Sequence, residues 1–250
     1  MASIKDKLWI WAHPTNSHYH KRKFSPEIRK SRITPAEAAG YLGVPNLLMV
    51  RYANQPQPPF DQYAMPLEPL KQVVWSILPA IDVSTGHSES EGTDLDAVLD
   101  IARKQKNITG VVLDDFFGRD GKEAALSVEQ LEAIQQKLRL KDKKLDLWVV
   151  NYDELCGKMP PDKVVEPYLK HCDVISYWTW KASDMVYLEE NFDKVRRIAD
   201  KFDCRLALGC YMFNSGEKKT MPVDLMEKQC QLGLKWLNDG SIDGMIFLPS

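Results

Sequence analysis

The chain has 250 residues, of which 44% are hydrophobic, so it can form one domain with a large core and is not a disordered chain. Its 33 lysines and arginines balance 35 acidic residues, and this lack of a basic surplus argues against binding to a nucleic-acid backbone. The apolar run at residues 8–12 is too short for a signal-peptide core, and no other window approaches the length of a membrane span. We therefore expect a cytoplasmic protein with neither a nucleic-acid nor a membrane partner.

Short apolar runs rich in β-branched and aromatic residues alternate with segments of helical periodicity. This alternation indicates crossover units and a parallel sheet. The strand candidates are 8–13, 46–52, 73–79, 108–116, 145–152, 174–180, 205–211 and 242–248. Eight parallel strands close into a barrel, so the sequence predicts an α/β fold, a single (β/α)8 TIM barrel domain over residues 1–250.

Helix signals lie between these strands. Thr34 and Ser127 each begin a capping-box pattern, Thr93 is expected to cap a third helix, and Gly240 is expected to end the last one. Between strands two and three, residues 67–71 predict no more than a single helical turn. The last strand ends at the C-terminus, so the final barrel helix is absent. We expect either a fragment truncated after strand eight or an oligomer that covers the seam between strands eight and one.

Three long irregular stretches, 14–33, 54–66 and 80–92, follow the first three strands and lie on the same side of the sheet. Long loops in compact domains are usually functional, and in TIM barrels this side carries the active site. The sequence therefore predicts a site where the strands end.

Two adjacent acids, Asp114 and Asp115, end strand four. Strand periodicity sends neighbouring side chains to opposite faces, so we expect one inward carboxylate and one supporting carboxylate. Helix capping or pairing with a lysine is the alternative role. Glycoside cleavage needs a second acid about 5–10 Å away, and Asp153 and Glu154, after the neighbouring strand five, are the first candidates for the proton donor.

Aromatic, amide and charged side chains near other strand ends suit a sugar, whose C–H patches stack on rings while its hydroxyls need donors and acceptors. Trp178 and Trp180 share one parity, so we expect both to face inward and then toward the rim. Core packing is the alternative for either one. The predicted ligand-binding residues are His13, Arg51, Asn151, Tyr152, Trp178, Trp180 and Tyr211. The expected partner is a carbohydrate or another small polar ligand.

The sequence offers little for a metal or another cofactor. Its five cysteines are odd in number and lack C-x-x-C spacing, which argues against a disulfide framework and the common zinc sites. His18 and His20 have a spacing seen in metal hydrolases, but His171 precedes strand six at the opposite end of the barrel. We expect no cofactor and keep metal-dependent hydrolysis with the strand-one histidines as an alternative.

Several segments carry a resemblance that spans nearly the whole chain. They are ITPAEAA at 33–39, GVPN at 43–46, MVRY at 49–52, PPFDQY at 58–63, ITGVVLDDFF at 108–117 and GMIFL at 244–248. Together they resemble a family of largely uncharacterised bacterial proteins that look like glycoside-hydrolase-type barrels. In that family a final helix follows strand eight, and an acid often stands where this chain has Asn214. The resemblance implies truncation and puts a catalytic role for the loop after strand seven in doubt.

The leading hypothesis is a glycoside-hydrolase-like, carbohydrate-active enzyme. Asp114 or Asp115 would act as nucleophile or general base, and Asp153 or Glu154 as proton donor. No motif identifies the second acid, and a fold does not determine a function, so a non-catalytic carbohydrate-binding barrel is the alternative from another class.

Overall fold

The computed structural model describes residues 3–17, 31–52, 55–78, 81–82, 87–88, 93–117, 124–153 and 161–248. Eight parallel strands form its centre: β1 (Leu8–Ala12), β2 (Asn46–Met49), β3 (Gln72–Ser76), β4 (Ile108–Leu113), β5 (Asp146–Tyr152), β6 (Val174–Trp178), β7 (Arg205–Tyr211) and β8 (Gly244–Leu248). Each strand pairs with the next, and β8 pairs with β1, so the sheet closes. The predicted (β/α)8 barrel is confirmed.

Helices alternate with the strands. They are α1 (Pro35–Leu42), α2 (Asp61–Ala64), α3 (Leu95–Lys104), α4 (Val128–Lys137), α5 (Pro161–Leu169), α6 (Leu188–Lys201) and α7 (Val223–Asp239). Short 3-10 turns cover Ile4–Lys7, Met65–Leu67 and Ala182–Tyr187, and a small antiparallel ribbon joins Phe213–Asn214 to Lys219–Thr220. No helix in the described part of the chain is long and apolar enough to cross a membrane.

The helix starts follow the sequence signals with one exception. The side chains of Thr34 and Ser127 accept hydrogen bonds from the backbone N–H groups of the third helical residues, as the capping boxes predict. Thr93 does not cap α3, because the residue before the helix is Asp94. The Asp94 carboxylate instead pairs with Arg51, which follows β2.

Tryptophans fill the barrel interior. Trp9 and Trp11 face inward from β1, and their rings meet Trp148 and Trp178 edge-on at centroid distances of 5.0 and 5.1 Å. A Cβ atom on Gly209 would lie 2.0 Å from the Trp178 ring, so only glycine leaves room for this indole. A packed interior of this kind leaves the ends of the barrel as the places for a ligand.

The expected bare seam between β8 and β1 is not observed at its central outward positions. Ile10 of β1 is 2% exposed and Met245 of β8 is 3% exposed. Helix α7 packs on β8, and the Lys7 ammonium donates to the Leu237 carbonyl of that helix at 3.4 Å. Leu8 and Phe247 are partly buried against the same core. An oligomer is therefore not required to cover this part of the seam.

Candidate functional site

The inward-facing alternation of each strand extends to residues at or just past its C-terminal end, and their side chains form a rim above the packed interior. In strand order they are His13, Tyr52, Asp114, Tyr152, Trp180 and Tyr211. Trp178 and Tyr211 lie beneath Trp180, because the Tyr211 ring is 5.0 Å from Trp178 and 5.4 Å from Trp180. Parallel strands bring these residues, distant in sequence, to one end of the barrel.

The two acids after β4 both interact with Tyr152 of the neighbouring strand. The strand ends at Leu113, so strict alternation stops before Asp115. Asp115 has a left-handed backbone with φ 47°, a conformation that Asp adopts more readily than most non-glycine residues. This turn brings its carboxylate to the Tyr152 hydroxyl, which donates to Oδ1 at 3.0 Å. Strand alternation does not describe Asp115, because its backbone is not extended.

Asp114 belongs to the same cluster. Its Oδ1 accepts the backbone N–H of Asp115 at 3.0 Å, and its charge acts on Tyr152. Burial raises the pKa of Tyr152 well above its usual range, and the charges of Asp115, Tyr211 and Asp114 raise it further. The Tyr152 phenol therefore stays protonated at neutral pH and donates its hydrogen to Asp115, with the charge of Asp114 acting on it as well.

Trp180 forms one wall of the rim. It is half-buried, and its ring meets Tyr152 and Tyr211 nearly edge-on, at interplanar angles of 79° and 80°. Its backbone N–H donates to Asp153 Oδ1 at 3.2 Å, and its carbonyl accepts the N–H of Gly216 at 3.2 Å. The backbone of Trp180 is thus held from both sides. We call Trp180, together with the buried Tyr211 beneath it, the aromatic wall.

Trp178 faces inward as predicted, but it is 1% exposed and has no accessible face for a ligand. Its indole N–H donates to the Ser176 hydroxyl at 3.2 Å, one layer below the rim. Trp178 therefore supports the aromatic wall and does not contact a ligand. The core-packing alternative is the correct one for this tryptophan.

Arg51 and Asn151 were predicted to bind a ligand, but both point away from the barrel axis. Arg51 is buried, and its guanidinium pairs with Asp94 at 2.5 Å. Asn151 is 1% exposed and shares the outward parity of Val149. The residue that follows each of them, Tyr52 or Tyr152, faces the barrel axis instead. Extending the parity of Leu48 and Val50 by one step would have identified Tyr52, which the sequence analysis missed.

His13 lies on the rim beside Tyr52. Its Nδ1 is 3.0 Å from the Val50 carbonyl oxygen, and the two rings are 5.1 Å apart. A carbonyl can only accept, so Nδ1 carries the proton and the neutral ring has its lone pair on Nε2. This hydrogen bond fixes the orientation of the His13 ring on the rim.

Asp153, a predicted proton donor, is buried and accepts the Trp180 N–H, so its observed contact is structural. Glu154, His18 and His20 lie outside the described residues. Within the described ranges, no group of three His, Cys, Asp or Glu side chains is arranged to hold a metal ion.

No protein-family model matches the chain, and no curated protein matches it. Among solved structures, a candidate alpha-L-fucosidase from Bacteroides thetaiotaomicron has a TM-score of 0.63 at 12% identity, covering 99% of this chain and 89% of that chain. A GH99 endo-alpha-mannosidase from the same species has a TM-score of 0.56 at 11% identity, with coverage of 98% and 83%. A Clostridium thermocellum protein that binds two copies of 5-methyl-5,6,7,8-tetrahydrofolic acid has a TM-score of 0.53 at 11% identity, with coverage of 96% and 87%. The chain thus has the fold of glycoside-hydrolase-like TIM barrels.

Proposed function

We propose that this barrel is a carbohydrate-active hydrolase that cleaves a glycosidic bond at the rim formed by the C-terminal ends of its strands. The observation that carries the proposal is the cluster of Asp114 and Asp115 around the Tyr152 hydroxyl, next to the aromatic wall. Carboxylates perform the acid, base and nucleophilic steps of glycoside hydrolysis, and aromatic rings bind the apolar faces of sugars. The similar glycosidase structures support the fold of such an enzyme.

In this proposal, one carboxylate of the pair attacks the anomeric carbon or activates the water that does so. Tyr152 orients Asp115 through its hydroxyl, and His13 lies on the rim among the residues that would surround the sugar. The proton donor to the leaving oxygen comes from the loop after β5. Glu154 is the better candidate there, because Asp153 already holds the Trp180 N–H.

Separate Asp114→Asn and Asp115→Asn variants test the proposal on a panel of chromogenic α- and β-glycosides and oligosaccharides. We expect at least one of them to lose about a hundredfold or more in kcat, the usual contribution of an acid–base group. Asp100→Asn makes the same chemical change on the exposed surface of α3 and should keep full activity. Full activity in both rim variants would overturn the proposal.

A non-catalytic carbohydrate-binding barrel is the second candidate, and the structural engagement of Asp153 favours it. Calorimetry with the oligosaccharides of the panel separates the two functions. Glycan binding without turnover, lost in Trp180→Ala and kept in both aspartate variants, would identify a binding protein.

A further inference from the structure

The ribbon after β7 contacts the segment that carries Trp180 through hydrogen bonds of Asn214 and Gly216. We infer that Asn214 and Glu217 form an amide–carboxylate brace that holds Trp180 in place as the ligand-facing wall. The brace is a pair of positioning residues, and the inference rests on the proposed function of the rim as a carbohydrate site. It gives the loop after β7 a role in ligand affinity.

The brace begins with Asn214, which is 0% exposed. Its Oδ1 accepts the backbone N–H groups of Glu217 at 3.2 Å and Ala182 at 3.3 Å. Because these two donors fix the position of the oxygen, Nδ2 must face the other way, and it donates to Glu217 Oε2 at 2.6 Å. A buried amide bonded at both ends permits a single orientation.

Glu217 extends the brace to the next backbone group. The pKa of its carboxyl is lowered, first by the Asn214 hydrogen bond and also by the charge of Lys219 and the backbone N–H of Ser183. Ala182 follows Trp180 by two residues and donates its N–H to the brace, and the N–H of Ser183, the next residue, contributes to the lowered pKa of Glu217. Their donors have no helical partner, because they begin the 3-10 turn.

Gly216 brings the ribbon directly against Trp180. Its N–H donates to the Trp180 carbonyl at 3.2 Å. A Cβ atom at this position would lie 2.6 Å from that carbonyl oxygen and 2.8 Å from Cδ1 of the indole. The close approach excludes any side chain here, so the ribbon touches both the backbone and the ring of Trp180.

A fixed indole improves affinity, because its side chain loses no conformational entropy when the ligand binds. Loosening the brace should therefore weaken affinity and leave the chemical step nearly unchanged. The probe is the panel glycoside that the wild-type protein hydrolyses fastest. Near-UV circular dichroism of the free protein reports the packing of Trp180 without any ligand, with Trp180→Phe as the reference for its signal.

Asn214→Asp replaces the Nδ2 donor by a carboxylate oxygen facing Glu217. We expect KM to rise about tenfold, the effect of losing one hydrogen bond to a charged group, with kcat within about twofold of wild type. The near-UV spectrum should change toward that of Trp180→Phe. Glu217→Gln keeps an accepting oxygen for Asn214 and should behave as the matched control.

The double variant Asn214→Asp/Glu217→Gln reverses donor and acceptor, because the glutamine amide can donate to the new aspartate. We expect it to recover most of the wild-type KM and spectrum, which a general loss of stability would not do. If Asn214→Asp does not fold, Gly216→Ala tests the contact with both brace residues intact and should raise KM in the same direction.

Wild-type KM and near-UV spectrum in both Asn214→Asp and Gly216→Ala would overturn the inference, and so would a folded double variant that recovers neither property. If the wild-type protein hydrolyses no glycoside of the panel, the proposed function fails, and the spectra of the free variants still decide whether the brace holds Trp180.

Discussion

The two ends of the barrel use charged residues in opposite ways. At the N-terminal end, a cavity of about 250 Å³ is lined by acids and bases that neutralise each other. Lys71 pairs with Asp6 at 3.2 Å, and Arg205 pairs with Asp146 at 2.6 Å. At the C-terminal rim, two carboxylates of the same sign gather beside a phenol. Opposite charges in pairs stabilise a fold, whereas like charges held together are typical of a functional site.

The largest effect is expected from replacing Trp178, the buried residue that supports the rim. Trp178→Ala removes a fully buried indole between Trp11 and Tyr211, and we expect a loss of about 3–5 kcal/mol in the free energy of unfolding. Urea denaturation followed by circular dichroism measures it. Trp180→Ala, at the half-buried level above, should cost much less stability and mainly weaken ligand binding. Equal stability losses would contradict the division into a supporting layer and a binding layer.

A smaller effect is expected from the phenol of the rim. The pKa of Tyr152 lies above its ordinary value of 10.0, so its neutral form is favoured in the folded state. Its contribution to stability is therefore fully present below pH 10 and is lost as the pH rises through the raised value. An alkaline titration followed by phenolate absorbance should lose one late-titrating tyrosine in Tyr152→Phe. If Tyr152→Phe leaves the late part of the titration unchanged, neither burial nor the two carboxylates raise the pKa of this phenol.

The smallest effect belongs to the N-terminal end. Lys71→Met removes one partner of a half-exposed ion pair, and such pairs contribute about 0–1 kcal/mol. We expect a change in melting temperature within a few degrees, which salt reduces, and unchanged glycoside hydrolysis. A loss of activity comparable with that of the rim variants would show that the two ends are not functionally distinct.

The alternation of side chains along a strand predicted the correct face wherever the chain stays extended. It placed Trp178 and Trp180 on the inward side, and the same count from Leu48 and Val50 points to Tyr52. It does not describe Asp115, because a left-handed residue follows the end of β4. Turn conformation depends on the neighbouring strands and loops, so no local pattern in the sequence announced it.

The sequence by itself determined the eight strands, the capping boxes at Thr34 and Ser127, and the end of the barrel that carries the acids. These features follow from local hydrogen bonding and from the periodicity of side chains along a strand. Only the tertiary structure decided that Asp153 holds Trp180, 27 residues away, and that Asn214 holds Ala182, 32 residues away. Such contacts form between loops that become neighbours when the barrel closes, and their partners cannot be derived from local sequence.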